Sequence, residues 1–176
     1  MKKSAGLSLV VVLFFPALAS AQVIAAEEAY RKAESRFHVY METEITSAQP
    51  RELMKQLKKK MKLLLELDGA YREVVKLKEP VFVVSACYKL GLAYENMAAV
   101  LRRVPVPEML TPEQKEIYRT ELDAKALPFE EKAKNSFQAA VKKAKELGAF
   151  TDHARRAEDK LIGLENKLKP EKKPPK

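Results

Sequence analysis

The segment VFVVSACYKLGLAYENMAAVL, from Val81 to Leu101, is apolar on nearly every face and carries only two charged residues, Lys89 and Glu95. A helix without a solvated face has to be surrounded by other helices. The two charges are six positions apart, so they neither pair nor share a face. Because each would cost roughly 2.5 to 3.5 kcal/mol near the centre of a bilayer, the segment predicts a buried helix rather than a membrane span.

Amphipathic patterns flank this central segment on both sides. Their apolar residues recur at steps of three and four, which is typical of helices that bury one face. The sequence therefore predicts an all-α fold, a helical bundle or short α-α superhelix of about six helices, in a single domain over residues 22–168. Outside the central helix, the predicted helices cover residues 23–46, 51–78, 112–126, 128–148 and 151–168.

Helix boundaries are marked by short local motifs. Thr111 and Gln114 have the spacing of a capping box, and Pro112 stands at the first helical position. We expect Pro128 to end this helix and to start the next, and Gly148 to end that one. The apolar face of the helix that follows Thr111 is predicted to bury Ile117, Tyr118 and Leu122.

The amino-terminal residues have the pattern of a secretory signal peptide. Lys2 and Lys3 precede an apolar run over residues 7–18, and the small residues Ala19 and Ala21 follow. This order predicts a leader over residues 1–21 that is cleaved after Ala21. The apolar run is shorter than the roughly 20 residues of a spanning helix, so no membrane anchor is expected after cleavage. We therefore expect a periplasmic or secreted protein.

The net charge is +9, of which two charges would leave with the leader. The carboxy-terminal residues 169–176, KPEKKPPK, contain three prolines and no apolar residue, which predicts a disordered basic tail. The body between them is mildly basic, with acidic residues throughout. This distribution fits solubility and loose attraction to an anionic surface better than a specific nucleic-acid groove.

Lysines cluster on two predicted outer helix faces. They offer a possible contact for an anionic envelope polymer, while the simpler interpretation is a solvated helix surface. The lysines concerned are Lys55, Lys58, Lys59, Lys60, Lys62, Lys142, Lys143 and Lys145.

No set of residues predicts catalysis, a metal site or a cofactor. His38 and His153 are the only histidines and lie at opposite ends of the chain, where we expect them at the surface or at helix ends. Metal sites need several clustered ligands, and the glycine and serine motifs of phosphate binding and hydrolysis are missing. Cys87 is the only cysteine, and its apolar surroundings favour a buried side chain over a reactive thiol or an intermolecular bridge.

Small and aromatic residues recur in two predicted helices at the spacing of a stacked helical repeat. Residues 81–103 and 128–148, separated by the inserted helix 112–126, therefore resemble a tetratricopeptide-repeat pair. The similarity extends to the carboxy-terminal module of envelope tetratricopeptide proteins of gram-negative bacteria, including gliding types. Cys87 replaces the usual tryptophan, and Ala133 follows Gly91 by 42 positions, more than in an ordinary repeat. The matching residues are Leu90, Gly91 and Tyr94 in the first helix and Ala133, Phe137 and Ala140 in the second.

The resemblance implies a protein-binding scaffold. Its inner surface would be lined by Ser85, Tyr88, Leu92, Glu95 and Asn96. In the alternative interpretation, the amino-terminal helices fill this inner face and make Tyr88 and Leu92 part of the core. We therefore expect an exported helical adaptor without catalytic activity that binds another envelope protein, with electrostatic association to an anionic polymer as the alternative.

Overall fold

The structure is a computed structural model that describes the backbone of residues 15–168 and the side chains of residues 21–164. Most of the predicted leader, residues 1–14, and the whole predicted tail, residues 169–176, lie outside the described residues. The described chain forms five α-helices and no strand, which confirms the all-α prediction. The helices are α1 (Phe15–Glu42), α2 (Pro50–Lys76), α3 (Pro80–Arg103), α4 (Pro112–Leu147) and α5 (Asp152–Leu168).

The central helix, α3, contacts each of the other four helices. Ala86 and Ala93 are fully buried and Met97 is 1% exposed, so the predicted enclosure of this helix is confirmed. Its two charges find partners on different neighbours. Lys89 lies 2.6 Å from Glu34 of α1, and Glu95 lies 2.6 Å from Lys160 of α5.

The helices pack in the order in which they follow one another in the chain. The helix α1 contacts α2 and α3, α2 also contacts α3, and α5 contacts α3 and α4. Among the described residues, the backbones of α1 and α2 do not approach those of α4 and α5. The bundle is therefore built from two helix pairs, α1 with α2 and α3 with α4, followed by the single helix α5.

The closest approach within a pair is between α3 and α4, where Gly91 faces Phe137. A Cβ atom placed on Gly91 would lie 2.8 Å from Phe137 Cζ and closer still to Cδ1 and Cε1. Phe137 is fully buried, so the ring has no open space into which to move. The remaining residues of the predicted repeat pattern are also buried in this pair: Leu90, Tyr94, Ala133 and Ala140.

The predicted break at Pro128 is wrong, because α4 continues through this proline, and the described chain has five helices instead of about six. A proline inside a helix costs about 3 kcal/mol, mainly through the lost hydrogen bond to residue i−4 and a steric clash. Here Pro128 and Ala124 are both exposed, so the unbonded carbonyl faces water. Ala126 and Ala133 are buried on one stripe, and their packing maintains the helix across the proline.

The predicted burial of Ile117 is also wrong, since this side chain is 64% exposed. The first turns of α4 bury only a narrow face, on which Leu122 packs with Leu53 and Val104. Ile117 precedes Leu122 by five positions, which turns it about 140° away from that face. Tyr118, four positions before Leu122, is half-buried against the same cluster.

The predicted helix ends are confirmed where the sequence carries a cap. Gln114 donates its backbone N–H to Thr111 Oγ1 at 3.3 Å, and Thr111 donates its own to Gln114 Oε1 at 3.0 Å. Gly148 ends α4 in the left-handed conformation, with a φ of 67°. Thr151 caps α5 by accepting the N–H of Ala154.

The predicted solvent exposure of Lys60 is wrong, since the residue is 1% exposed. Its Nζ donates to the carbonyl oxygens of Tyr40 at 2.9 Å and Thr43 at 2.7 Å and lies 4.3 Å from the centre of the Tyr40 ring. These carbonyls stand at the end of α1, where helical partners are missing. Lys60 follows Leu53 and precedes Leu67 by seven positions, so it belongs to the buried face of α2.

Lys60 predicts a specific pH dependence of stability. Burial lowers the pKa of Lys60 from its ordinary value of 10.5 to about 8. Between these values the unfolded chain binds more protons than the folded chain. The free energy of unfolding, relative to that of the variant K60M, should therefore rise with pH above 8, by up to about 1.4 kcal/mol per unit.

Urea denaturation at pH 7.5, 8.5 and 9.5 measures this difference. Lys59 is an exposed neighbour, so the variant K59M should keep the pH dependence of the wild type. Parallel curves for the wild type and K60M would contradict the prediction.

The contact of Gly91 with Phe137 predicts opposite effects of one substitution at two glycines. The variant G91A should lose about 1 to 3 kcal/mol of stability through overpacking. The variant G69A should gain up to about 1 kcal/mol, because a Cβ at Gly69 meets nothing within 4 Å and alanine favours the helix. Chemical denaturation measures the free energy of unfolding of both variants. Equal changes in G91A and G69A would refute the close packing of Gly91 against Phe137. Adding F137L to G91A should recover part of the loss.

Candidate functional site

An open groove runs along α3 and has a volume of about 400 Å³. Most of its lining belongs to α3, and Met41 of α1, Glu130 and Ala133 of α4 and Leu164 of α5 complete it. We call it the α3 groove. It forms because α1 and α5 lie on different sides of α3 and leave one strip of the central helix uncovered.

Three of the five predicted partner-binding residues lie in the α3 groove. Leu92, Glu95 and Asn96 all line it, and each is half-buried. The Oδ1 atom of Asn96 is buried and has no hydrogen-bond partner. A buried acceptor without a donor costs about 1 to 3 kcal/mol, so native proteins contain few of them. Asn96 therefore lines the groove while its Oδ1, buried behind the groove surface, is left without a hydrogen bond.

The other two predicted residues, Ser85 and Tyr88, lie outside the groove and are covered by α5. Ser85 is 5% exposed and Tyr88 is 6% exposed. His153 of α5 contacts both, with its Nδ1 2.8 Å from Ser85 Oγ and its ring stacked on Tyr88 at 5.0 Å between centroids. The face of α3 that carries the predicted residues is thus divided between an open part and a part beneath α5.

Glu95 connects the two parts of this face. Its carboxylate lies 2.6 Å from Lys160 Nζ of α5, and the two side chains are 35% and 39% exposed. An ion pair at this level of exposure contributes little net stability. Glu95 therefore lines the open groove and also takes part in holding α5.

Arginines stand at the other end of the groove. Arg102 forms ion pairs with Asp123 and Glu130 of α4, and the bonds to these carboxylates, chiefly that to Glu130, raise the pKa of the guanidinium. Its charge is therefore balanced within the chain. Arg103 is exposed beside it and adds a cation to this end of the groove.

Ser85 and His153 are in hydrogen-bonding contact, with Ser85 Oγ 2.8 Å from His153 Nδ1. The hydroxyl also lies 2.8 Å from the carbonyl oxygen of Val81, so its proton has an acceptor other than the imidazole. A nucleophilic serine donates its hydroxyl proton to the imidazole. Burial, followed by the charge of Lys89, lowers the pKa of His153 below its ordinary value.

The remaining candidate groups for chemistry are separated from one another. His38 is exposed on α1, and burial raises the pKa of the Cys87 thiol on α3. Within residues 15–168, no group of three or more His, Cys, Asp and Glu is placed to hold a metal ion. The α3 groove is the candidate site because three of the five predicted partner-binding residues line it.

Comparisons of the chain with protein-family models, with curated proteins and with solved structures find no match. None of the helices in the described part of the chain has the length and apolar character needed to cross a membrane.

The unpaired acceptor of Asn96 predicts that its removal stabilises the fold. The variant N96L should gain about 1 kcal/mol in the free energy of unfolding, because no buried acceptor is left without a donor. The variant N135L is the matched control, since Asn135 is exposed on α4 and the same substitution there changes only helix propensity and surface. Thermal and urea denaturation compare the two, and an N96L gain no larger than that of N135L would contradict the prediction.

Proposed function

We propose that the chain is a non-catalytic helical adaptor of the cell envelope that binds another protein through the α3 groove. The observation that carries this proposal is the open α3 groove, which is lined by three of the five predicted partner-binding residues, Leu92, Glu95 and Asn96. The Oδ1 of Asn96 is buried and unpaired beside the groove, and a rotation of this side chain toward the groove would bring it to an N–H donor of the partner. Leu92 and Leu164 offer apolar contact on either side, as ligand sites with few but well-placed polar groups do.

A relationship to tetratricopeptide repeats forms part of this proposal. Two observations support it: among the described residues, helix backbones approach only those near them in chain order, and Gly91 accommodates the Phe137 ring where α3 and α4 cross. Stacked repeats have this neighbour-only packing and use their exposed inner helices to bind partners. On this view α1 and α2 form one unit, α3 and α4 the next, and α5 begins a third.

Export is the second part of the proposal and rests on the leader pattern of residues 1–21. The helix α1 begins at Phe15 and continues through Ala21, but its first described core residue is Ala26. Cleavage after Ala21 would leave Gln22, whose side-chain amide donates to the carbonyl of Leu77 at 2.7 Å, at the end of α2. The mature chain would therefore retain every described core residue.

Association with an anionic polymer has less support than binding of a protein. Lys60 is buried, and Lys142 and Lys143 both lie near Glu146, at 3.7 and 2.6 Å. Lys55 and Lys62 likewise have carboxylates nearby. Local pairing of this kind reduces the positive potential that such a polymer would meet.

Site-specific photo-crosslinking in cells that export the chain tests the proposal. A photoreactive residue at Leu92, inside the groove, should give a discrete adduct with another protein, which mass spectrometry identifies. The same residue at Lys58, exposed on the outer face of α2, should not. The variant N96A should reduce the Leu92 adduct at least several-fold while far-ultraviolet circular dichroism stays unchanged, since it removes one hydrogen bond at the groove. Equal adducts at both positions would refute binding through the groove.

A further inference from the structure

The helix α5 is attached to the rest of the protein through a short apolar stripe. Among its described residues, Ala154 and Ala157 are buried, and Leu161 and Leu164 are half-buried against the main core. Ala154 packs with Val84, Ala144 and Ala149. Since the stabilisation from burial is roughly proportional to the apolar area removed from water, α5, whose buried side chains are alanines, is held less firmly than α4, which also buries Leu122 and Phe137.

The polar contacts of α5 fall on the residues that a partner is proposed to use. His153 hydrogen-bonds Ser85 and stacks on Tyr88, and Lys160 pairs with Glu95. With these contacts α5 occupies the part of the α3 face that adjoins the α3 groove. A partner that extended from the groove along α3 would meet α5.

We propose that α5 is a displaceable cover on α3, that protonation of His153 loosens it, and that an amphipathic helix of the partner protein takes its place. This inference rests on the proposed function, because it concerns the same face of α3. To that function it adds the kind of partner, an amphipathic helix, and the condition under which the partner binds, protonation of His153.

His153 lies where a positive charge is unfavourable. It is the second residue of α5, near the positive end of the helix dipole, and it is partly buried between helices. The charged groups that act on it are Lys89 of α3 and Glu34 of α1, which pair with each other, and Asp152 and Arg156 of its own helix. The two acidic groups are therefore matched by two basic ones.

Burial, the largest cause, and Lys89 lower the pKa of His153 in the docked state. In a released helix the imidazole would titrate near its ordinary value of 6.5. The released state of α5 therefore binds the proton more strongly than the docked state. The free energy that favours docking decreases as the pH falls through 6.5. Acidification thus favours exposure of Ser85 and Tyr88.

The side chains of α5 indicate which helix can replace it. Alanines at positions 154 and 157 fit the narrow space beside α3 and α4, a lysine three residues later reaches Glu95, and leucines follow at 161 and 164. A partner helix needs the same order: two small residues three apart, then a cation, then apolar residues on the same face. Recognition of such helices in grooves depends on this spacing.

A labelled peptide provides the test with the full chain. The probe is a fluorescent peptide of residues 150–168 carrying H153F, which keeps an aromatic ring for Tyr88 but does not titrate. Fluorescence anisotropy should show several-fold tighter binding at pH 5.0 than at pH 7.5. In the full-chain variant H153F this pH dependence should disappear, whereas H38F, which changes the exposed histidine of α1, should retain it.

Hydrogen exchange gives a second readout of the same event. After correction for the intrinsic rate, amides of residues 153–164 should exchange several-fold faster at pH 5.0, while those of α3 and α4 should not. The variant H153Q keeps a hydrogen bond to Ser85 and replaces H153F if that variant fails to fold.

Absence of peptide binding at both pH values, or a pH dependence that persists in H153F and H153Q, would overturn the inference. A Leu92 crosslink without peptide exchange would refute the displacement of α5 but leave the proposal of a protein-binding groove intact. Peptide exchange without a Leu92 crosslink would refute binding through the groove but leave the displacement of α5 intact.

Discussion

Enclosure of α3 is the constraint on which the rest of the structure depends. This helix has apolar side chains in almost every direction, and the four other helices each bury an apolar face against it. The two charges of α3 are partly buried, and each has an oppositely charged partner: Lys89 pairs with Glu34 of α1, and Glu95 pairs with Lys160 of α5. The Lys89 pair is the less exposed of the two, so it contributes more to the placement of α1 than the Glu95 pair contributes to that of α5. Hydrophobic burial therefore selects the neighbours, and charge adds to it where the pair is shielded from water.

The fold could be predicted wherever local chemistry determines it. The buried helix, the capping box at Thr111 and the left-handed cap at Gly148 depend only on residues close in the sequence, and all three were predicted. Pro128 and Ile117 were predicted wrongly because tertiary contacts decide there. The buried face of α4 continues on both sides of Pro128, from Leu122 to Phe137, and its packing offsets the cost of the proline. The overhanging start of α4 has neighbours on too few sides to bury Ile117.

The candidate site could be predicted only in part, for a similar reason. The spacing of α3 identifies the helix face that carries Leu92 and Asn96, but it contains no information about what covers Ser85 and Tyr88. The helix α5 contacts both residues, and its contacts with α3 link residues 65 or more positions apart, while Tyr30 of α1 also reaches Ser85. Lys60 was different, because its seven-residue spacing from Leu53 and Leu67 already indicated the buried face of α2. A lysine on such a face is predictable if spacing is weighed above residue type.

Small residues lie at the contacts of α3 with both α4 and α5, but the two contacts differ in the size of the side chain that faces the small residue. Gly91 is opposed by the ring of Phe137, so the missing side chain lets a large apolar group fill the crossing of α3 and α4 and makes that contact extensive. Ala154 of α5 is opposed by Val84 and other small side chains, so a similar closeness of backbones buries much less apolar area. Because the energy of burial follows the area removed from water, the first contact is the stronger of the two, and the weaker second contact is the one on which the proposed exchange of α5 depends. An adaptor of the proposed kind, which would remain folded while one of its faces changes occupant, would need both kinds of contact, and here they lie on the same helix.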